Sequence, residues 1–293
     1  MNWHSGLEAR ILFNEPLSKH TTLRVGPEAE LWIEPWDKEA LGSLLRKAKT
    51  IKKDYLVMGA GSKLLITKKV PLAINLGSAN FTRCVVRGDD LIAGAGVLLS
   101  KLLKTAYDNG LGGLEFLNGI PASVGGALML NAGVGWPKRI EIGSFIEQLE
   151  IMDKYGRIRI IDKKDMEFGY RRSGLKPCII LRARFGLFRK RKKNIKLKMQ
   201  RFRDYRIKTQ ELGYHCAGCA FKNPDGQSSG RLMDLCGLKG RRIGGAVISG
   251  KHANFIINRG NATSQDILAL MRLAQREVKK KFKVNLESEI QVI

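Results

Sequence analysis

No run of apolar residues approaches the roughly 20 needed to span a bilayer, and no positively charged n-region with an apolar h-region follows Met1. The five cysteines, Cys84, Cys178, Cys216, Cys219 and Cys236, are odd in number and scattered, which excludes a disulfide framework and makes a reducing cytoplasm the expected compartment. Cys216 and Cys219 form a C-x-x-C, yet no second Cys or Cys/His pair lies at zinc spacing, so no metal site is expected. There is no internal repeat and no low-complexity tract. Acidic residues are scarce, 27 against 52 Lys and Arg, for a formal net charge of +25. The basic residues spread from Lys38 to Lys283 without zinc-finger, aromatic RNA-binding or basic-zipper patterns. Nucleic acid is therefore not the expected partner, whereas small anionic ligands such as nucleotide diphosphates suit the positive field.

What is present reads as two or three compact domains in 293 residues. Glu30–Glu34 reads as a strand, and Leu41, Leu44, Leu45 and Ala48 repeat at helical spacing behind the capping candidate Asp37. Tyr55–Met58 is a short buried strand that runs into Gly59-Ala60-Gly61-Ser62. Strand, helix, strand and glycine turn can present backbone N–H groups to a phosphate, and a plain tight turn explains the two glycines as well. Leu64 stands where a dinucleotide fingerprint needs its third glycine.

From Ala73 to Arg184 shorter β-like runs surround one helix, Ser100–Asn109, closed by Gly110. Within this region Gly119-Ile120-Pro121-Ala122-Ser123-Val124-Gly125-Gly126-Ala127 packs small residues densely enough to favour a ligand cradle, with Ser123 adding a hydroxyl. Arg189–Lys193 begins a basic stretch that reads as a solvated linker or helix face. A helix stopped at Gly237 and a longer one started by a Thr263/Asp266 capping box follow. The chain closes in an alternating strand with Leu286 and Ile290 on one face and Glu287, Glu289 and Gln291 on the other, which makes Glu289 an exposed carboxylate on the residues alone.

The chemistry concentrates around Cys219. Residues three apart on a strand point to opposite faces, so Cys216 and Cys219 diverge unless the Ala-Gly between them turns sharply. Lys222 and Asn223, beside a Pro-Asp-Gly turn, are poorly suited to a core and point to a ligand. A protonated thiol can donate without an activating base. Tyr170-Arg171-Arg172-Ser173 offers a guanidinium that could hold a carboxylate, or equally a strand-end surface arginine.

Taken together, His20–Gly26, Gly59–Ser62, Gly119–Ala127, Tyr170–Ser173, Gly218–Pro224, Gly237–Gly240, Lys251–Phe255 and Leu286–Ile290 resemble, in order, the UDP-N-acetylenolpyruvoylglucosamine reductase (UDP-N-acetylmuramate dehydrogenase) family, in its shorter branch without an extra substrate-capping loop. The resemblance runs from about residue 14 to 293. It implies an α+β protein: a two-lobed FAD-binding domain of the vanillyl-alcohol-oxidase type (residues 1–72 and 73–190), a basic linker (191–210) and a C-terminal α+β substrate domain (211–293). It further implies FAD as cofactor, NADPH as co-substrate, a monomer, and a cytoplasmic role in peptidoglycan synthesis, hence in cell-wall biogenesis, cell shape and division.

By the same resemblance, Gly59, Ala60, Gly61, Ser62, Gly119, Ile120, Pro121, Ser123, Gly125, Gly126 and Ala127 hold the cofactor, and Tyr170, Lys222 and Asn223 lie by the substrate. Arg171 and Glu289 stabilise an enol-like intermediate, and Cys219, where many relatives carry serine, protonates it. A lone anionic glutamate would oppose that chemistry, so Glu289 is expected to hold its proton. Lys63 follows Ser62 where the family pattern has asparagine, and it adds a positive charge near the expected pyrophosphate. Gly26-Pro27 and Gln210-Glu211 also depart from the pattern.

Overall fold

The computed structural model describes residues 3–175 and 177–293. The chain packs as two compact units, each with its own apolar core.

The first unit comprises Met1–Glu15, Ala29–Ala60 and Val70–Arg203. Its four-stranded sheet runs in the order Ala9–Pro16, Glu28–Pro35, Ala73–Asn75, Leu56–Met58. Helix α1 (Lys38–Thr50) connects the strands Glu28–Pro35 and Leu56–Met58, and both pair in parallel with Ala73–Asn75. Asp37 caps α1 by accepting the Ala40 N–H at 2.8 Å, and Leu41, Leu44, Leu45 and Ala48 face the core, as their spacing requires.

A five-stranded antiparallel sheet follows, ordered Ile158–Asp162, Ile146–Met152, Ile179–Gly186, Asp90–Gly94, Cys84–Arg87. Helix α2 (Leu99–Asp108) packs on the strand Cys84–Arg87, and the short α3 (Val124–Met129) packs on Ile179–Gly186. That short helix lies inside the small-residue stretch, where glycine density hides a helical period.

The expected linker at 191–210 is instead helix α4, Lys192–Thr209. Its surface is polar nearly all round, which conceals the period, but Ile195 and Phe202 are buried. Glu115 supplies the anchor: its carboxylate meets Lys190 at 2.8 Å and Lys198 at 3.4 Å, and Asn118 donates to the Met199 carbonyl at 3.0 Å.

The second unit joins Pro16–Glu28 and Gly61–Lys69 to Asp204–Ile293, a partition that the boundaries 1–72 and 211–293 do not follow. Its antiparallel sheet is ordered His215–Cys219, Phe255–Asn258, Ala246–Ile248, Arg242–Ile243. Helices α5 (Ser229–Leu235) and α6 (Ser264–Phe282) pack with it, and Thr263 and Asp266 form the expected capping box at the start of α6.

The expected closing strand is mostly irregular. Only Gln291–Val292 is extended, and it pairs in parallel with Leu64–Leu65. Among the described residues no helix is long and apolar enough to cross a membrane.

Candidate active site

Two of the glycine-rich stretches meet inside the first unit. The strand Leu56–Met58 delivers Gly59 beside Ser123, so closely that a Cβ on Gly59 would collide with the Ser123 hydroxyl oxygen. Asn75 fixes this corner by donating to the Met58 carbonyl at 2.9 Å. Ser123 is buried and caps α3 by accepting the Gly126 N–H at 3.3 Å, so its oxygen serves the helix and its O–H remains a donor. Gly61 answers to a different neighbour: a Cβ there would strike the His20 carbonyl of the second unit's own segment, and Thr22 donates to the Gly61 carbonyl at 3.3 Å. The glycine turn therefore needs Gly59 for close approach to Ser123 and Gly61 for packing.

Gly59 and Ala60 are half-buried, and among the described residues no protein acceptor takes their N–H groups. Free amides flanked by glycine, with no side chain between them and Ser123, fit the phosphates of a dinucleotide such as FAD.

Tyr170 and Arg171 occupy the tip of a tight turn closed by Gly169 and Arg172, whose N–H and carbonyl groups exchange bonds at 3.0 and 3.2 Å. Arg171 takes a left-handed φ of 55°, a conformation that costs an L-residue energy and concentrates at functional sites. One of its amino groups donates to the Gly133 carbonyl at 3.3 Å, and Arg139 lies 4.2 Å over the Tyr170 ring.

In the second unit the strand His215–Cys219 departs from the sequence expectation. Cys216 stands opposite Ile257 and Cys219 opposite Phe255, so three steps on one strand match two on the other. Gly218, at φ 68°, absorbs the extra residue as a bulge. The register thus puts both cysteines on one face instead of two. Burial pushes the Cys216 thiol up; the Gly218 N–H and Lys63 pull it down, and Glu211 raises it. Burial also lowers the Arg206 guanidinium, and a negative charge on Cys219 or Tyr205 would raise it, so Arg206 lies within electrostatic reach of Cys219.

Glu289 is not exposed: it is 8% accessible. Its N–H donates to the Ala220 carbonyl at 2.8 Å, which sets it beside the cysteine strand. Its carboxylate forms an ion pair with Lys63 at 2.9 Å, and the same ammonium donates to the Cys219 carbonyl at 2.7 Å. Lys63 is therefore engaged by the acid strand rather than left to a pyrophosphate. Lys222 pairs with Glu287, and Asn223 accepts the Ser229 N–H at 3.1 Å at the start of α5. Asn254, buried, pins the strand after Cys219 by donating to the Phe221 carbonyl at 2.8 Å and accepting its N–H at 2.9 Å. Asn254 lies in the matching stretch Lys251–Phe255 but its partner is 33 residues away, and Arg206 lies on a helix read as a linker, so neither role was visible locally. Among the described residues no cluster of three or more His, Cys, Asp or Glu could hold a metal.

Comparison with known proteins agrees with this division. Residues 29–162 match the family described as FAD binding domain, and residues 210–293 match the C-terminal domain of UDP-N-acetylenolpyruvoylglucosamine reductase. The reductase of Caldanaerobacter subterraneus subsp. tengcongensis is 36% identical, over 98% of this chain and 94% of its own. The chain belongs to the UDP-N-acetylenolpyruvoylglucosamine reductase family. Reductase 1 of Bacillus cereus is 38% identical over 97% of this chain and 95% of its own length. Among solved structures, the family's enzyme from Thermus caldophilus superposes with a TM-score of 0.82 at 36% identity, covering 97% of this chain and 98% of that one. The FAD-binding match takes in three of the four strands of the first sheet and four of the five strands of the second, and the C-terminal match takes in most of the second unit.

Proposed function

We propose that this protein reduces UDP-N-acetylglucosamine enolpyruvate to UDP-N-acetylmuramate at the expense of NADPH, in the cytoplasm and as a monomer, supplying a precursor of peptidoglycan. One observation carries the reading: a single chain joins an FAD-binding half to the C-terminal domain specific to this reductase. Bound FAD would supply the hydride transfer between NADPH and C3 of the enolpyruvyl group.

The chain's own residues do the rest. Gly59, Ala60, Gly61 and Ser62 with Gly119–Ala127 hold the cofactor, their small side chains letting backbone donors reach phosphate oxygens. As hydride adds to C3, the electron pair of the C2–C3 double bond spreads from C2 into the substrate carboxylate. Arg171 places its guanidinium on that carboxylate, where fixed positive charge stabilises the transition state most. Glu289 acts at the same centre. Cys219 gives its thiol proton to C2, which completes the saturated lactyl ether, and solvent returns the proton to the thiolate. Tyr170, Lys222 and Asn223 position the sugar nucleotide.

The test is NADPH oxidation by the yellow, FAD-loaded protein with and without UDP-N-acetylglucosamine enolpyruvate. Oxidation that depends on the enolpyruvyl compound and yields UDP-N-acetylmuramate supports the reading. Colourless protein, or oxidation indifferent to that compound, contradicts it.

A further inference from the structure

Three segments of the second unit are laced together around one ammonium. Gln291 donates its N–H to the Lys63 carbonyl at 2.8 Å, which registers the strand Leu64–Leu65 against the C-terminal strand. Glu289 is in turn bonded through its backbone to Ala220 at 2.8 Å, next to Cys219. The backbone alone therefore fixes Lys63 beside both proposed reacting residues, and its side chain, only 21% accessible, spans them at 2.9 Å to Glu289 and 2.7 Å to the Cys219 carbonyl.

We propose that Lys63 is a positioning and charge-compensating residue of the reaction: its ammonium binds the Glu289 carboxylate and the Cys219 carbonyl into one neutral unit. The inference rests on the reductase reading. An anionic glutamate standing alone would repel the charge that develops at C2 and in the substrate carboxylate. Two devices avoid this, a protonated carboxyl or a carboxylate matched by a cation, and the geometry here is the second. Holding the Cys219 carbonyl also steadies the bulge that carries the thiol. Charged or titratable groups around this cluster include Cys219, Cys216, Glu211, and Arg206 and Tyr205 from α4. The Lys222–Glu287 pair lies farther along the same connections.

The experiment uses FAD-loaded, oxidised enzyme labelled with 13C at the glutamate carboxyl, with the Glu289 signal assigned by its loss in Glu289→Gln. In Lys63→Met, Glu289 takes up its proton at a pH at least about one unit higher than in the wild type, because a buried carboxylate has lost its cation. Turnover follows the same titration. Lys63→Met loses rate as pH rises through that value, whereas the wild type and Lys63→Arg, which keep a cation, hold their rate over the same interval. In Lys63→Met/Glu289→Gln this alkaline fall disappears.

An unchanged Glu289 titration in Lys63→Met overturns the proposal, as does a loss of rate equal at every pH. Loss of bound flavin in Lys63→Met would assign the lysine to the cofactor and overturn it too. If Lys63→Met does not fold, Lys63→Gln is measured in the same way. Failure of the wild type to reduce the enolpyruvyl substrate would defeat the reductase reading instead, and the carboxyl titration is recorded independently of it.

Discussion

Glu115 and Glu289 are both buried carboxylates that meet lysine, and they do different things. Glu115, 1% accessible, is saturated: Lys190 and Lys198 flank it, and the Gly113 N–H donates to it at 3.0 Å. All of these partners belong to the scaffold, and the effect is to fasten helix α4. Glu289 meets a lysine that also holds the carbonyl of a bulged cysteine. The difference teaches that burial and pairing do not mark a functional carboxylate. What sets Glu289 apart is a partner shared with the backbone carbonyl of Cys219 on a distorted strand.

Substitution is the sharpest way to separate the two. Glu289→Gln is expected to lower kcat by about 10²-fold, because it releases the Lys63 ammonium that bridges the carboxylate and the Cys219 carbonyl, with a smaller change in unfolding free energy than Glu115→Gln shows. Steady-state kinetics and urea unfolding on the same preparation read both quantities. Glu115→Gln should reverse the pattern, costing about 2 kcal/mol of stability, less than a fully enclosed ion pair because both lysines keep some solvent contact, with kcat per folded enzyme unchanged. A kcat loss in Glu115→Gln matching that of Glu289→Gln would erase the distinction.

A pH series sharpens the Glu115 side. Burial pushes its carboxyl up, but the Lys190 hydrogen bond, the backbone N–H groups and Lys198 together bring it below the usual glutamate value. A carboxyl lowered in the folded state stabilises above its unfolded value and loses that contribution as pH falls through the folded one. Wild-type stability should therefore decline more steeply than that of Glu115→Gln as the medium is acidified below about pH 4.5. The smallest effect is expected at Thr263→Ala, which removes one half of a capping box for about 1 kcal/mol and leaves kcat untouched.

Much of the fold was legible where a local rule decides it. Asp37 and the Thr263/Asp266 pair start helices through their side chains, and Gly110 and Gly237 end them through left-handed backbones. For the candidate site, the sequence named residues but not their wiring. Cys216 and Cys219 were expected on opposite faces because strand alternation ignores a bulge, and only the pairing with Ile257 and Phe255 reveals the extra residue. Glu289 read as exposed because the final segment alternates in sequence, although all but its last turn of chain is irregular and backbone bonds to Ala220 draw it inward. Lys63 stood out as a departure, but its partners lie 156 or more residues away, a distance no local pattern spans. Helix α4 was hidden because lysine and arginine cover nearly every face of it.

The proposed chemistry turns on the thiol of Cys219, and the direct measurement is the rate at which enolpyruvyl substrate reoxidises the NADPH-reduced enzyme, followed by rapid mixing in wild type, Cys219→Ser and Cys219→Ala. Reduction by NADPH should proceed in all three. Turnover to UDP-N-acetylmuramate should fall at least about 10²-fold in Cys219→Ala and partly persist in Cys219→Ser, as expected for loss and replacement of a general acid. Full turnover in Cys219→Ala would contradict the account.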